Sequence, residues 1–227
     1  MIRLFELCTS DCEYRMSPYV WRVRFALMHK GLEFEGIPLR FLDKDPIAPA
    51  QSKTVPVIQD GDIWMRDSFD IVCYLDETYP DKPLIKDLAA ARFFNSWLYR
   101  SVVSPLFPML VSDIIKSLDA DNAAYFRETR QKLFGDTPLE EVSADREAMR
   151  PAFLKGIAPM RDVLKGQPFL CGDEPAWADY AAAASFVWAL TAKGFDPIEG
   201  DEVLSNWRSR MFDLFDGHVH SAMKVNG

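Results

Sequence analysis

Ser17-Pro18-Tyr19-Val20-Trp21-Arg22-Val23-Arg24 decides how this chain of 227 residues is read. Proline suits the first turn of a helix, where its missing N–H costs nothing, and a serine ahead of it suits the N-cap. Val20, Val23 and Leu27 recur at helical spacing and Gly31 supplies a stop, so a helix is expected over 18–30. Ahead of it, Ile2 to Cys8 alternates apolar and polar side chains as a strand does. Leu32 to Pro38 reads as a second strand, and Val55 to Gln59 with Ile63 to Met65 as a hairpin about Asp60-Gly61. Ser68 to Tyr79 follows as a helix. The expected order is β-α-β, a loop rich in Pro and Asp, then β-β-α.

Tyr79-Pro80-Asp81-Lys82-Pro83 is a stiff linker between two compositions. It divides the chain into an α/β domain over 1–80 and an all-α domain over 86–227. In the second, Asp87 to Leu118 reads as one long helix bent near Pro105 and Pro108. Further helices are expected over Tyr125 to Phe134, Ser143 to Leu164, the nearly all-apolar Pro175 to Leu190, and Val203 to Phe215.

The net charge of −8 is spread over short acidic segments. A nucleic-acid partner needs a clustered basic face, and anionic lipid a polybasic patch; neither is present in the sequence. No apolar run approaches the roughly 20 residues that cross a bilayer. Charges interrupt the apolar start, Met1 to Leu7, so no secretory signal is expected and the compartment is read as cytoplasmic. Cys8, Cys12, Cys73 and Cys171 form no Cys-x-x-Cys pair and read as reduced thiols, with Cys12 the one nearest possible chemistry. His29, His218 and His220 lack partners at metal-ligand spacing, so no metal is expected.

Three places carry candidate chemistry, each with a plain structural alternative. Ser17 is either an N-cap alone or a hydroxyl donor to a thiolate, which the helix start would stabilise. Val55-Pro56 is either a trans bond at a strand start or a cis bond presenting the Val55 backbone to an extended peptide. Asp67-Ser68 is either a helix cap or a site for a group bearing both charges, Asp67 holding an ammonium and Ser68 with its following N–H groups a carboxylate.

In this order and spacing, Ser17-Pro18-Tyr19-Val20-Trp21-Arg22, Thr54-Val55-Pro56-Val57-Ile58 and Asp67-Ser68 resemble the glutathione site of the cytosolic glutathione transferases. Within that family the chain is similar to the etherase-like group, the bacterial lignin β-etherases and their fungal relatives. Ser17-Pro18-Tyr19-Val20-Trp21, Tyr125-Phe126-Arg127 with Leu139-Glu140-Glu141-Val142, and Phe212-Asp213-Leu214-Phe215-Asp216-Gly217 carry that finer likeness. The resemblance implies a thioredoxin-like α/β N-terminal domain joined to an all-α C-terminal domain, and a cytoplasmic homodimer. It implies glutathione as co-substrate, with Ser17 catalytic, Val55 and Pro56 against the cysteinyl backbone, and Asp67 and Ser68 on the γ-glutamyl group. Lys53 is a partner for the glycine carboxylate, in a register uncertain by one residue with Thr54.

The resemblance implies a transferase acting in detoxification, which sends the glutathione thiolate against a hydrophobic, aromatic electrophile, β-aryl ether cleavage being one specific form. Trp97, Tyr99, Phe107, Met109 and Phe215 are candidates for the second-substrate wall or else domain core. Two alternatives stay open: a non-catalytic carrier of hydrophobic ligands, and a thiol–disulfide enzyme, which the hydroxyl of Ser17 disfavours. Two features depart from the family pattern. The segment from Cys8 to Met16 is long for a strand-to-helix loop, and Ala176 stands where a Ser or Thr usually caps the buried helix ahead of Asp179.

Overall fold

The computed structural model describes residues 1–10, 12, 14–190 and 195–224. Strands β1 (Ile2–Leu7), β2 (Phe34–Leu39), β3 (Val57–Asp60) and β4 (Ile63–Arg66) form one mixed sheet in the order β2-β1-β3-β4. β1 and β2 are parallel because helix α1 (Pro18–Lys30) carries the chain back across the sheet between them. β3 is antiparallel to both β1 and β4, and helix α2 (Ser68–Thr78) follows. This is a thioredoxin-like α/β domain.

Two strands begin two residues later than expected, each for a local reason. Gly31 adopts φ 68° at the end of α1, and the N–H of Leu32 turns back to the carbonyl of Leu27 at 3.0 Å, so Leu32 belongs to the helix cap. Pro56 has no N–H for the ladder, and β3 starts at Val57. Gly36 in β2 is there for space: a Cβ on it would lie 2.4 Å from a carboxylate oxygen of Glu6. That carboxylate is buried and pairs with Arg15 at 3.0 Å and with Arg24, tying the sheet to α1 and to the loop ahead of it.

The second domain is helical: α3 (Leu88–Leu98), α4 (Ser104–Lys116), α5 (Ala120–Arg130), α6 (Arg146–Gly156), α7 (Ala158–Leu164), α8 (Trp177–Ala189) and α9 (Glu202–Lys224). α3 and α4 are continuous through a π-helical turn at Tyr99–Val103. That wider turn precedes Pro105 and Pro108, which have no N–H to return to the preceding turn. The rod Leu88–Lys116 is long and apolar enough to cross a bilayer by length and composition, which the sequence reading did not anticipate. Here Leu98, Val102, Leu106 and Leu110 are buried in the domain core.

Three other helix bounds differ from expectation. α5 starts at Ala120 because Asp119 caps it, accepting the N–H of Asn122 at 3.0 Å. The single helix expected over 143–164 is two, broken at Ile157, and its first residues lie outside them. Ser143 there serves α4 instead: it donates to the carbonyl of Pro108 at 2.8 Å and exchanges bonds with Ser112. α9 breaks over Leu214–Gly217, where Phe215, Asp216 and Gly217 all take positive φ, and then continues past the expected end.

α8 is buried on nearly all sides and packs against α1, which joins the two domains. Ala176 offers its helix no side-chain acceptor, and Asp179 compensates. Its fully buried carboxylate accepts N–H groups from Leu170 at 2.6 Å, Cys171 at 3.0 Å and Ala176 at 3.4 Å, and the indole N–H of Trp207 at 2.9 Å. Asp179→Ala would orphan all four donors. It is expected to lower unfolding stability by about 3 kcal/mol or more in urea titrations, against a smaller loss for Asp179→Asn.

Candidate active site

Between the two domains lies a cleft of about 860 Å³. Its floor is reached by a detour of the chain. The segment between Cys8 and Met16 leaves β1 and returns to it, closed at its base by a Cys8–Arg15 bridge and by the N–H of Met16 on the carbonyl of Leu7 at 3.3 Å. With that closure Ser17 follows β1 as directly as a short connection would allow. Cys8 and Cys12 are joined in a disulfide within this loop, with Cα atoms 4.8 Å apart, where reduced thiols were the expectation. The two stand only four positions apart, but not at the Cys-x-x-Cys spacing that would have marked the pair. Neither lines the cleft.

Ser17 lines the cleft and caps α1 with φ −75° and ψ 125°. Its hydroxyl oxygen accepts the N–H of Val20 at 3.4 Å, a long bond. Among the described residues the hydroxyl hydrogen has no acceptor, so it is free to donate into the cleft. The first-turn N–H groups of α1 add partial positive charge beside it.

Across the cleft, the Val55–Pro56 peptide bond is cis. The β3 ladder begins only at Val57, so the backbone of Val55 lies beyond it. Asp67 caps α2 from φ 67°, accepting the N–H groups of Phe69 at 2.8 Å and Asp70 at 3.3 Å. Ser68, buried at the first turn, also lines the cleft. Five expected site residues, Ser17, Val55, Pro56, Asp67 and Ser68, thus line one cleft. Lys53 does not: it is exposed and outside the lining, whereas Thr54 is part of it.

The second-substrate candidates divide. Phe107 lines the cleft and stacks on Trp188 with ring centroids 6.0 Å apart, and Tyr99 lines it too. Trp97 packs against Phe94 at 5.5 Å on α3, away from the cleft. Phe215 packs on Tyr180 at 6.2 Å and Phe25 at 6.4 Å, because the break in α9 turns it toward α1, and Met109 is core. The rest of the aromatic wall, Phe41, Tyr125, Phe126, Phe134 and Trp188, was not anticipated, nor were Arg40, Lys44 and Arg130. Only the density of aromatics between 125 and 134 hinted at it.

Tyr19 also lines the cleft, and its ring covers the Arg22 guanidinium at 4.7 Å. Arg22 is buried; one nitrogen donates to Asn95 at 3.2 Å while Nε and Nη2 have no partner. Burial lowers its pKa to about 10, against the opposing pull of Tyr19 and Asp67. A fixed cation thus sits behind the wall that carries Asp67. Among the described residues, no group of His, Cys, Asp and Glu could hold a metal ion.

Comparisons with known proteins agree with this geometry. The glutathione S-transferase N-terminal domain profile matches residues 12–83 and the C-terminal domain profile residues 89–216. Glutathione S-transferase Z2 of Arabidopsis thaliana is 35% identical over 185 residues, covering 78% of this chain and 72% of the relative. Glutathione S-transferase 1 of Dianthus caryophyllus is 29% identical over 205 residues, covering 87% and 81%. Among solved structures, glutathione transferase GSTFuA3 of Phanerochaete chrysosporium is 26% identical with a TM-score of 0.75, covering 99% of this chain and 95% of that one. A glutathione S-transferase of Ceriporiopsis subvermispora in complex with glutathione shares the fold at 23% identity and a TM-score of 0.76, covering 99% and 97%. The chain belongs to the glutathione S-transferase family.

Asp67 has two separable properties, its cap and its charge. Asp67→Asn keeps an acceptor and tolerates positive φ, so stability is expected to change by only a few tenths of a kcal/mol. Asp67→Ala is expected to lose about 1 kcal/mol in the same denaturation assay.

Proposed function

We propose that this cleft binds glutathione, ionises its thiol and directs the sulfur at a hydrophobic aromatic electrophile. The observation that carries the reading is the free hydroxyl hydrogen of Ser17 at the start of α1, facing a wall that holds Val55, Asp67 and Ser68. A free thiol ionises near pH 8.5, so little thiolate exists at neutral pH. Donation from Ser17 together with the helix start favours the anion, and a lowering by about two units, worth about 2.7 kcal/mol, makes thiolate the main species.

The wall fits the rest of the tripeptide. The Val55 backbone, beyond the β3 ladder, pairs with the cysteinyl backbone as an added strand does. Ser68 and the α2 first turn take the γ-glutamyl carboxylate, and Asp67 its ammonium. The glycine carboxylate falls to Lys44, which lines the cleft, in place of the exposed Lys53. The aromatic wall around Phe107 and Trp188 then receives the electrophile. A sulfur–carbon bond forms as the leaving group departs with its electron pair, and the thiol proton passes to water.

Cleavage of a β-aryl ether, with a phenolate as leaving group, is one reaction of this type. Its support is the resemblance of the stretches named above to the etherase-like group. Two of those stretches meet in the fold, where Arg127 donates to Glu140 at 3.0 Å, a packing role outside the cleft lining. We take the protein to be a cytoplasmic homodimer; the exposed Phe93 and Leu88 on α3 support an apolar contact, and light scattering at micromolar concentration tests it.

Ser17→Ala is expected to reduce kcat at least about a hundredfold with halonitroaromatic or aryl-ether electrophiles. Glutathione affinity by calorimetry should stay within about threefold of wild type, since the γ-glutamyl contacts remain. An unchanged kcat would remove Ser17 from the mechanism.

A further inference from the structure

The cleft carries more positive charge than glutathione uses. Away from Asp67 its lining holds Arg40, Lys44 and Arg130, and none of the three has an ion-pair partner among the described residues. The protein as a whole is acidic, at −8, so this local surplus runs against its composition. Two carboxylates lie near them without an ion pair: the exposed Asp43 accepts the backbone N–H of Arg40 at 2.8 Å and supports the charge of Lys44, and Asp119, which caps α5, feels the charge of Arg40.

Arg130 is the most committed of these cations. It ends α5 with its guanidinium 5.4 Å from the ring centre of Phe126 and 5.9 Å from that of Phe41, both of which line the same wall. Among the described residues its one polar partner is the neutral hydroxyl of Thr129 at 2.6 Å. The two adjacent aromatic faces hold the half-buried fork in place at the edge of the cleft, where its charge is open to a bound anion. Lys44 stands across the cleft over Tyr125 at 5.6 Å. Burial lowers its pKa, and after burial the charge of Arg130 lowers it further, so the two cations repel across the space between them. The glycine carboxylate of one tripeptide neutralises one cation and leaves the other.

We propose that Arg130 binds an anionic group on the electrophile, so that the preferred second substrate is an aromatic carboxylate whose ring lies against Phe107, Phe126 and Trp188. This rests on the glutathione reading above and adds the substrate class. Arg130 selects and positions this substrate, and the bond-making stays at the sulfur.

The test is kcat/KM of the purified protein, with saturating glutathione, for 4-chloro-3,5-dinitrobenzoate and its neutral primary amide, each divided by its uncatalysed rate. In both, sulfur replaces chloride on the ring. Wild type is expected to favour the carboxylate about tenfold or more. Arg130→Gln should abolish that preference while leaving the amide rate and the KM for glutathione within about twofold, and Arg130→Lys should restore part of it. Conjugation of both compounds without preference would overturn the proposal and leave glutathione transfer standing. An Arg130→Gln variant that raises only the KM for glutathione would also overturn it, by assigning this cation to the glycine carboxylate. Failure to conjugate either compound, or to bind glutathione, would remove the underlying reading together with this one.

Discussion

Two helix starts aimed into one cleft set the constraint on which everything else depends. α1 begins at Ser17 and α2 at Asp67, and each leaves first-turn N–H groups without partners inside its own helix. In most proteins water or a cap removes that demand. Here the caps are partial: Ser17 holds Val20 at long range, and Asp67 satisfies Phe69 and Asp70 while Ser68 remains. What is left is a pair of weakly positive mouths facing the same volume, suited to a thiolate at one and a carboxylate at the other.

Holding both mouths in register requires rigidity behind them. The buried carboxylate of Glu6 links β1 to Arg15 and Arg24, so the loop before Ser17 and the body of α1 are fixed to the same strand. On its other side α1 packs against α8, whose own start is organised by Asp179. Trp21 and Phe25, both buried, fill the space between these layers. The placement of Ser17 therefore rests on two buried carboxylates, neither of which lines the cleft.

Much of this was legible in the chain before any coordinates. Proline after serine, a glycine stop and helical apolar spacing define α1 to the residue, since the local rules agree there with the packing. The Asp67 cap was equally plain, because Asp-Ser at the head of an apolar helical run is a strong local signal for a helix start. The aromatic wall was not legible, because a phenylalanine in a helical domain looks alike whether it faces core or cleft. Trp97 and Phe215 went to packing, and Phe126 and Trp188 to the cleft. The break in α9 set the orientation of Phe215, and such a break has no periodicity to read. Lys44 and Arg130 come together only across the domain interface, 86 positions apart by their numbers, beyond any local pattern.

The sharpest check is the ionisation of glutathione in the cleft, followed by the ultraviolet absorbance of its thiolate as pH is varied with protein in excess. The midpoint should fall about two units below the value near 8.5 of the free thiol, and Ser17→Ala should move it most of the way back. Bound glutathione that titrates like the free peptide would contradict the account at its foundation.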